Sequence, residues 1–148
     1  MKTLKLYTLT LLVGITVLIS CKPKTPEAET EAEKQLKLFA KTWNVKTDAN
    51  AVTLDAADNT TNWTGFSLTV NSDYTYSTSG VHAGFEGVWP SQGIWEFNSA
   101  TDVATIIRDD GTRIGIVVDA STLKLSFSYV TGGRTSGTDG AWVFNMIP

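Results

Sequence analysis

The side chains that could carry out catalysis in this chain are few. His82 is the single histidine, and it lies in a glycine-rich stretch without the Gly-x-Ser-x-Gly motif that presents a nucleophilic serine. Glu86 and Glu96 could form the carboxylate pair that glycosidases use, but their spacing does not favour that pairing over chance. We therefore predict that the protein is not an enzyme.

A metal site would need ligands that the sequence hardly supplies. One histidine and one cysteine cannot assemble a structural zinc site. Asp102, Asp109 and Asp110 could offer oxygen ligands to calcium, yet acids in turns more often accept backbone hydrogen bonds. We expect neither a metal nor a cofactor.

The single cysteine, Cys21, follows an N-terminal targeting pattern. Lys2 and Lys5 precede an apolar run over residues 6–19, which is shorter than the roughly 20 residues that a membrane span requires. A charged start, a short apolar run and a small residue at its end are typical of a secretory signal. The run closes with Leu-Ile-Ser-Cys at residues 18–21, and this segment resembles the cleavage and lipidation site of bacterial lipoproteins.

This resemblance implies cleavage before Cys21, attachment of a diacylglycerol to its thiol and acylation of the new amine. Residues 1–20 are then a lipoprotein signal peptide, and the membrane is a partner through lipidated Cys21. A triacylated cysteine anchors stably, whereas a single acyl chain gives only marginal binding. Lys22 stands where an aspartate would favour retention in the inner membrane. We therefore expect a lipid anchor in the cell outer membrane, periplasmic or surface-exposed.

Composition excludes other partners. Removal of residues 1–20 takes away two lysines and no acid, which changes the formal net charge from −3 to −5. An acidic chain lacks the cationic surface that neutralises phosphates, so we expect no nucleic acid partner. The remaining length allows one domain, and a single cysteine excludes an internal disulfide, so the fold depends on its core alone. We expect a monomer.

Residues 21–34 are predicted to comprise the lipidated cysteine and a flexible tether. Prolines and alternating glutamates occupy this stretch without a large apolar side chain, so it cannot offset the entropy lost on ordering. A short helix is predicted over residues 33–41, where Leu36, Phe39 and Ala40 share one face.

From Trp43 onward, apolar residues recur at every second position. This spacing is typical of antiparallel strands with one buried face. The Asp-Gly pair at 110–111 is the strongest hairpin signal, and Gly65 suggests a β-bulge because Trp63 is out of phase with Phe66. Residues 35–148 are therefore predicted to be an all-β domain, a small antiparallel up-and-down barrel of about eight or nine strands. The predicted strands are 43–47, 50–54, 63–70, 73–79, 92–98, 103–109, 112–118, 122–130 and 140–147.

Six segments in and around these strands follow one another in a characteristic order. They are 42–45 (TWNV), 63–70 (WTGFSLTV), 88–97 (VWPSQGIWEF), 107–111 (IRDDG), 123–127 (LKLSF) and 140–144 (GAWVF). In this order they resemble the lipocalin-like domains of lipoproteins from Bacteroidetes-type bacteria, over about residues 42–147. The resemblance implies an up-and-down barrel with an apolar pocket, and it does not define a ligand.

Aromatic residues are numerous for a domain of this length. Core packing is expected for Trp63, Trp95, Phe97 and Trp142. Trp89 differs because it precedes a proline in a glycine-rich loop, and the sequence leaves two roles open for it. Its ring could face a ligand or partner, or it could plug one end of the barrel.

A meander places alternate connections at the same end of a barrel. The loop at 80–91, the turn at 109–111 and the loop at 131–139 therefore share one end, and loops on a rigid scaffold commonly carry function. We predict a shallow ligand or partner site there. The residues of this predicted ligand-binding site are Phe85, Glu86, Trp89, Asp109, Asp110, Arg113 and Arg134.

Two functions fit these observations. The first is a cell-envelope lipoprotein that acts as a binding module for a small apolar or amphipathic ligand. The alternative is a structural or interaction lipoprotein that docks on an envelope protein or glycan through its long loops. A cavity inside the barrel distinguishes the two, because ligand pockets are concave and mostly apolar.

Overall fold

The computed structural model describes residues 28–131 and 137–148. The predicted signal peptide, Cys21 and the first part of the tether lie outside these residues. The described chain contains an α-helix, α1 (Glu31–Phe39), and a 3-10 helix (Thr60–Trp63). Its strands are β1 (Thr42–Val45), β2 (Val52–Leu54), β3 (Ala57–Asp58), β4 (Ser67–Val70), β5 (Thr75–Ser79), β6 (Gln92–Phe97), β7 (Thr105–Arg108), β8 (Arg113–Val118), β9 (Leu123–Tyr129) and β10 (Gly140–Ile147).

Eight of these strands close into a barrel. Each strand from β4 to β10 pairs with the next along the chain, and β1 pairs with both β4 and β10. All of the pairings are antiparallel. The predicted all-β up-and-down barrel is confirmed, and closure removes the open edges at which a sheet would pair with other chains.

The hairpin of β2 and β3 extends from β10. β1 pairs with the C-terminal end of β10, and β2 pairs with its middle. Between β1 and β2 the chain loops out around Asn145, whose N–H donates to the Ala51 carbonyl at 2.7 Å and whose carbonyl accepts from the Lys46 N–H at 3.3 Å. β1 and β2 therefore act as one interrupted strand along β10.

Helix α1 covers one end of the barrel. The Thr30 hydroxyl accepts the Glu33 N–H at 3.2 Å, and the Glu33 carboxylate accepts the Thr30 N–H at 2.7 Å, which forms a capping box. The helix therefore begins before residue 33, inside the segment predicted to be tether, and ends earlier than predicted. Phe39 in its last turn is buried, with its ring 5.2 Å from that of Trp95.

The barrel interior is filled with apolar side chains. In β9 the buried residues Leu123, Leu125 and Phe127 alternate with exposed ones, as the period of two predicts. The predicted core positions of three tryptophans are confirmed, and Phe97 packs half-buried against the same core. The tryptophans of this core are Trp43, Trp63, Trp89, Trp95 and Trp142.

The strand predicted over residues 63–70 is wrong in its first half. Trp63 ends the 3-10 helix, Gly65 lies in a turn with φ of 80°, and β4 begins only at Ser67. The predicted β-bulge at Gly65 is therefore absent. Trp63 is out of phase with the strand because it enters the core from the 3-10 helix.

Candidate functional site

The two longest connections of the meander and the short β7–β8 turn share one end of the barrel, as predicted, and we call it the long-loop end. It carries the connections β5–β6, β7–β8 and β9–β10. The loop at 80–91 folds over this end: the Phe85 ring lies 6.0 Å from that of Trp142. A Cβ added to Gly87 would lie 2.0 Å from the Tyr129 hydroxyl oxygen, so the loop also rests on the end of β9. The opposite end, covered by α1, is the helix end.

Trp89 plugs the long-loop end and does not face solvent. It is 2% exposed. Its ring centre lies 5.9 Å from that of Phe66, 5.7 Å from Phe127 and 6.1 Å from Phe144. These are the separations of packed aromatic pairs. Of the two roles that the sequence leaves open, the structure assigns the plug.

A buried arginine that sequence reasoning missed holds this plug in place. Arg108 is 2% exposed, and its guanidinium carbon lies 5.1 Å from the centre of the Trp89 ring. Its Nη1 donates to the Val88 carbonyl at 2.7 Å. Its Nη2 and Nε donate to the two carboxylate oxygens of Asp110 at 2.5 Å and 3.2 Å. The charge is thus paired in the two-point geometry that suits arginine and a carboxylate.

Asp110 is the counterion of the buried Arg108 guanidinium. Partial burial alone would raise the pKa of its carboxyl, but hydrogen bonds from Arg108 and Thr112 and the charge of Arg108 outweigh burial and lower it. Asp110 therefore stays ionised and neutralises Arg108. The sequence contained one signal for this burial. Arg108 lies two residues after Ile106 in β7, so the two side chains share the inner face of the strand.

Three further predicted site residues lie at the same end of the barrel as Trp89. Phe85 is half-buried against the core. Glu86 is exposed, and its carboxylate accepts the Gly84 N–H at 2.8 Å. Asp109 is exposed, and its carboxylate accepts the Ile94 N–H at 3.3 Å, which joins the β7–β8 turn to β6.

The remaining two predicted residues do not join this group. The Arg113 guanidinium donates to the side-chain oxygen of Asn98, in the β6–β7 connection at the helix end. Arg134 lies outside the described residues. The long-loop end therefore gathers Phe85, Glu86, Trp89, Asp109 and Asp110.

The interior of the described barrel is filled largely by the side chains of the core. The cavity among Phe39, Tyr76, Trp89 and Trp95 has a volume of about 10 Å³. Ligand pockets usually measure roughly 300–1,000 Å³. This cavity is therefore far smaller than the apolar pocket that the lipocalin-like resemblance implies.

A larger cleft opens at the helix end, and we call it the aromatic cleft. Its volume is about 480 Å³. The rings of Tyr74, Trp95 and Phe97 form a triangle: Tyr74 and Phe97 have their centres 5.0 Å and 5.2 Å from the indole and 6.4 Å from each other. The sequence analysis did not predict this cleft, because it placed the ligand site among the loops at the opposite end of the barrel. The residues that line it are Ala32, Tyr74, Trp95, Glu96, Phe97, Ser99 and Ala100.

The acids considered as calcium ligands do not converge. The Asp102 carboxylate accepts a hydrogen bond from the side-chain amide of Asn98 at 2.7 Å. The Asp109 carboxylate accepts one from the backbone of β6, and Asp110 pairs with Arg108. Among residues 28–131 and 137–148, no group of three or more histidine, cysteine or acidic side chains is arranged to hold a metal ion.

No protein family, curated protein or solved structure matches this chain. In the part of the chain that the structure describes, no helix combines the length and the apolar character needed to cross a bilayer. The class that the fold defines is a closed eight-stranded antiparallel barrel with two additional strands, a packed interior and clefts on its outside.

Proposed function

We propose that the protein is a lipid-anchored envelope lipoprotein whose barrel docks on an envelope glycan or protein through its outer surface. The observation that supports this most strongly is a contrast of volumes. The space inside the barrel is about 10 Å³, whereas the aromatic cleft outside offers about 480 Å³. This contrast favours binding at the outer surface over an apolar ligand inside the barrel.

The anchor in this proposal rests on the sequence. Cys21 ends the Leu-Ile-Ser-Cys segment behind a charged start and a short apolar run. The capped helix α1 begins shortly after it, at Glu31, so a short segment joins the anchor to the barrel. Such an anchor holds the domain in the envelope, where it meets glycans and membrane proteins at high local concentration.

Metabolic labelling tests the anchor. Cells that express the full chain or its Cys21→Ser variant are grown with an alkyne-tagged fatty acid, and the protein is then isolated. We expect label and membrane fractionation for the wild type, and neither for Cys21→Ser. A wild-type protein without label would contradict the anchor.

Retention on envelopes tests the docking. Residues 28–148 include the helix, all the strands and the core that the structure describes, so this fragment is expected to fold alone. It is mixed with washed envelopes from host cells, and the bound fraction is measured by sedimentation. We expect saturable retention, with periodate sensitivity indicating a glycan and protease sensitivity indicating a protein. Retention that does not saturate would overturn the proposal.

Native mass spectrometry tests the interior. The same fragment, purified from its host without detergent, is expected to show its bare mass because the packed barrel has no room for a guest. An additional mass that disappears on denaturation would instead favour a carrier of a small apolar ligand.

A further inference from the structure

We propose that the aromatic cleft binds a neutral, β-1,4-linked pyranose chain. This inference rests on the proposed docking in the envelope and deepens it, because it names both the glycan chemistry and the surface that takes it.

Tyr74 and the half-buried Phe97 offer aromatic surface at the cleft, and the buried Trp95 supports them from the core. Tyr74 is 40% exposed although its ring packs against that of Trp95, and the Phe97 ring lies 6.4 Å from it. Aromatic faces carry partial negative charge and attract positively polarised C–H groups. In a β-1,4-linked gluco-configured chain the hydroxyls are equatorial, so each sugar ring presents such a C–H face. A flat saccharide ribbon therefore complements these rings.

Polar side chains at the rim can bind sugar hydroxyls. Glu96 and Tyr74 are among the residues that line the cleft, and neither the Glu96 carboxylate nor the Tyr74 hydroxyl has a hydrogen-bond partner among the described residues. A carboxylate accepts up to four hydrogen bonds, and a phenol both donates and accepts. Aromatic faces beside such groups combine apolar area with hydrogen bonding, which is what a sugar ring requires.

The backbone of β6 adds a donor and an acceptor. β5 pairs with β6 only as far as Ile94, and the last bond on that side is from the Trp95 N–H to the Tyr74 carbonyl at 2.9 Å. The Asn98 N–H points the other way and donates to Thr105 of β7 at 2.9 Å. Since alternate residues of a strand turn their peptide groups to opposite sides, the N–H and C=O of Phe97 point to the side that β5 leaves open.

The charge of the cleft and the size of its side chains limit the kinds of saccharide that it can bind. Glu96 is the one charged residue among the described residues that line the cleft, so an anionic saccharide would be repelled and a neutral one would not. Ala32 and Ala100 are small and leave the cleft open.

The backbone of Tyr74 adopts an unusual conformation for a bulky residue. Its φ of 66° lies in the left-handed region, which a bulky side chain rarely adopts. Asparagine or glycine would fit that conformation with less strain. Strained backbone conformations cluster at functional sites, which supports a binding role for Tyr74.

Titration with two defined saccharides tests the proposal. Cellohexaose and chitohexaose are added to residues 28–148, and binding is followed by tryptophan fluorescence and calorimetry. The variants are Tyr74→Asn, which suits the positive φ and removes the ring, and Ala100→Trp, which fills the cleft. The control is Val117→Ser on the outside of β8, which replaces a residue 71% exposed. Each variant is used only if its melting temperature remains close to that of the wild type.

We expect saturable binding of at least one hexaose. Tyr74→Asn is expected to weaken it by about tenfold, the scale of one lost aromatic contact, and Ala100→Trp to abolish it. Val117→Ser is expected to bind like the wild type. The proposal is overturned if neither hexaose binds at about 10 mM, which exceeds the Kd of a weak complex, or if both cleft variants bind normally. Envelope retention without hexaose binding would overturn this inference and leave the proposed docking intact.

Discussion

The guanidinium of Arg108 lies 5.1 Å from the centre of the Trp89 ring, and both side chains are buried at the long-loop end of the barrel. Asp110 pairs with the same guanidinium from the adjacent turn. The loop aromatic, the strand cation and the turn acid thus form one structural unit. This unit closes the barrel, which explains why the end with the longer loops lacks an open pocket.

Loss of the arginine is expected to destabilise the fold. Arg108→Ala leaves the Val88 carbonyl and the Asp110 carboxylate without their main partner and leaves a gap under Trp89. We expect the free energy of unfolding to fall by about 2–4 kcal/mol, less than for a fully buried pair because the Asp110 side chain is 38% exposed. Urea unfolding of residues 28–148 measures it. The control is Arg113→Ala, where a change within about 0.5 kcal/mol is expected; equal effects at the two positions would contradict this account.

Trp142 is expected to be among the most costly side chains to truncate. It is fully buried, its Nε1 donates to the Thr138 carbonyl at 2.8 Å, and its ring lies 5.6 Å from that of Trp63. Trp142→Ala should lower the free energy of unfolding by about 3–5 kcal/mol through lost burial and an unfilled cavity. The exposed Val117→Ala is the control. An unchanged melting temperature for Trp142→Ala would show that its packing contributes little.

The barrel could be predicted because the alternation of apolar and polar residues within each strand is visible in the sequence. Alternation in β8, β9 and β10 identifies strands and their buried faces without knowledge of neighbours. The β2–β3 hairpin could not be found this way. Its turn places Asp55 and Ala56 at φ of 49° and 66°, and alanine gives no sequence signal for that conformation. A tertiary contact helps to hold the turn: the Asp55 carboxylate accepts the Ala141 N–H at 2.8 Å.

The candidate site was less predictable than the fold. Whether a loop aromatic such as Trp89 turns inward depends on the side chains of several strands that are distant in sequence. The aromatic cleft depends on where β5 stops pairing with β6, at Ile94, and on the position of α1 beside it. Strand alternation specifies faces but not the ends of pairing, so Tyr74 and Glu96 gave no sign of lying together.

Acid stability should depend on the β8–β9 turn. The Asp119 carboxylate accepts the N–H groups of Ser121 and Thr122, each at 2.7 Å. These bonds and those from the two hydroxyls lower the pKa of Asp119 from 3.8 to about 2. A carboxyl with a lower pKa in the folded state stabilises the fold while ionised, so its contribution is complete above about pH 4 and is lost toward about pH 2.

Asp119→Asn removes this titration and retains the size of the side chain. Melting temperatures of the wild type and the variant are compared across that window. We expect the wild type to be the more stable near neutral pH and the two curves to approach each other as the acid side is reached. Curves that stay parallel throughout would show that Asp119 does not contribute to the acid sensitivity.

Alkaline stability should depend on Tyr76. Its side chain is buried, and its hydroxyl has no hydrogen-bond partner among the described residues. Burial raises the pKa of Tyr76 to about 12. Because the raised pKa belongs to the folded state, the titration of Tyr76 leaves stability unchanged below about pH 10 and lowers it as the pH rises toward about 12, where the unfolded chain ionises more readily.

Tyr76→Phe keeps the ring and removes the unpaired hydroxyl. At pH 7 we expect the free energy of unfolding to be unchanged or higher, because a buried hydroxyl without a partner is unfavourable. The variant should also lose less stability above about pH 10, and its absorbance titration should lack the last tyrosine to ionise. Urea unfolding at neutral and alkaline pH provides the comparison. A loss of more than about 1 kcal/mol at pH 7 would mean that the hydroxyl contributes a hydrogen bond in solution.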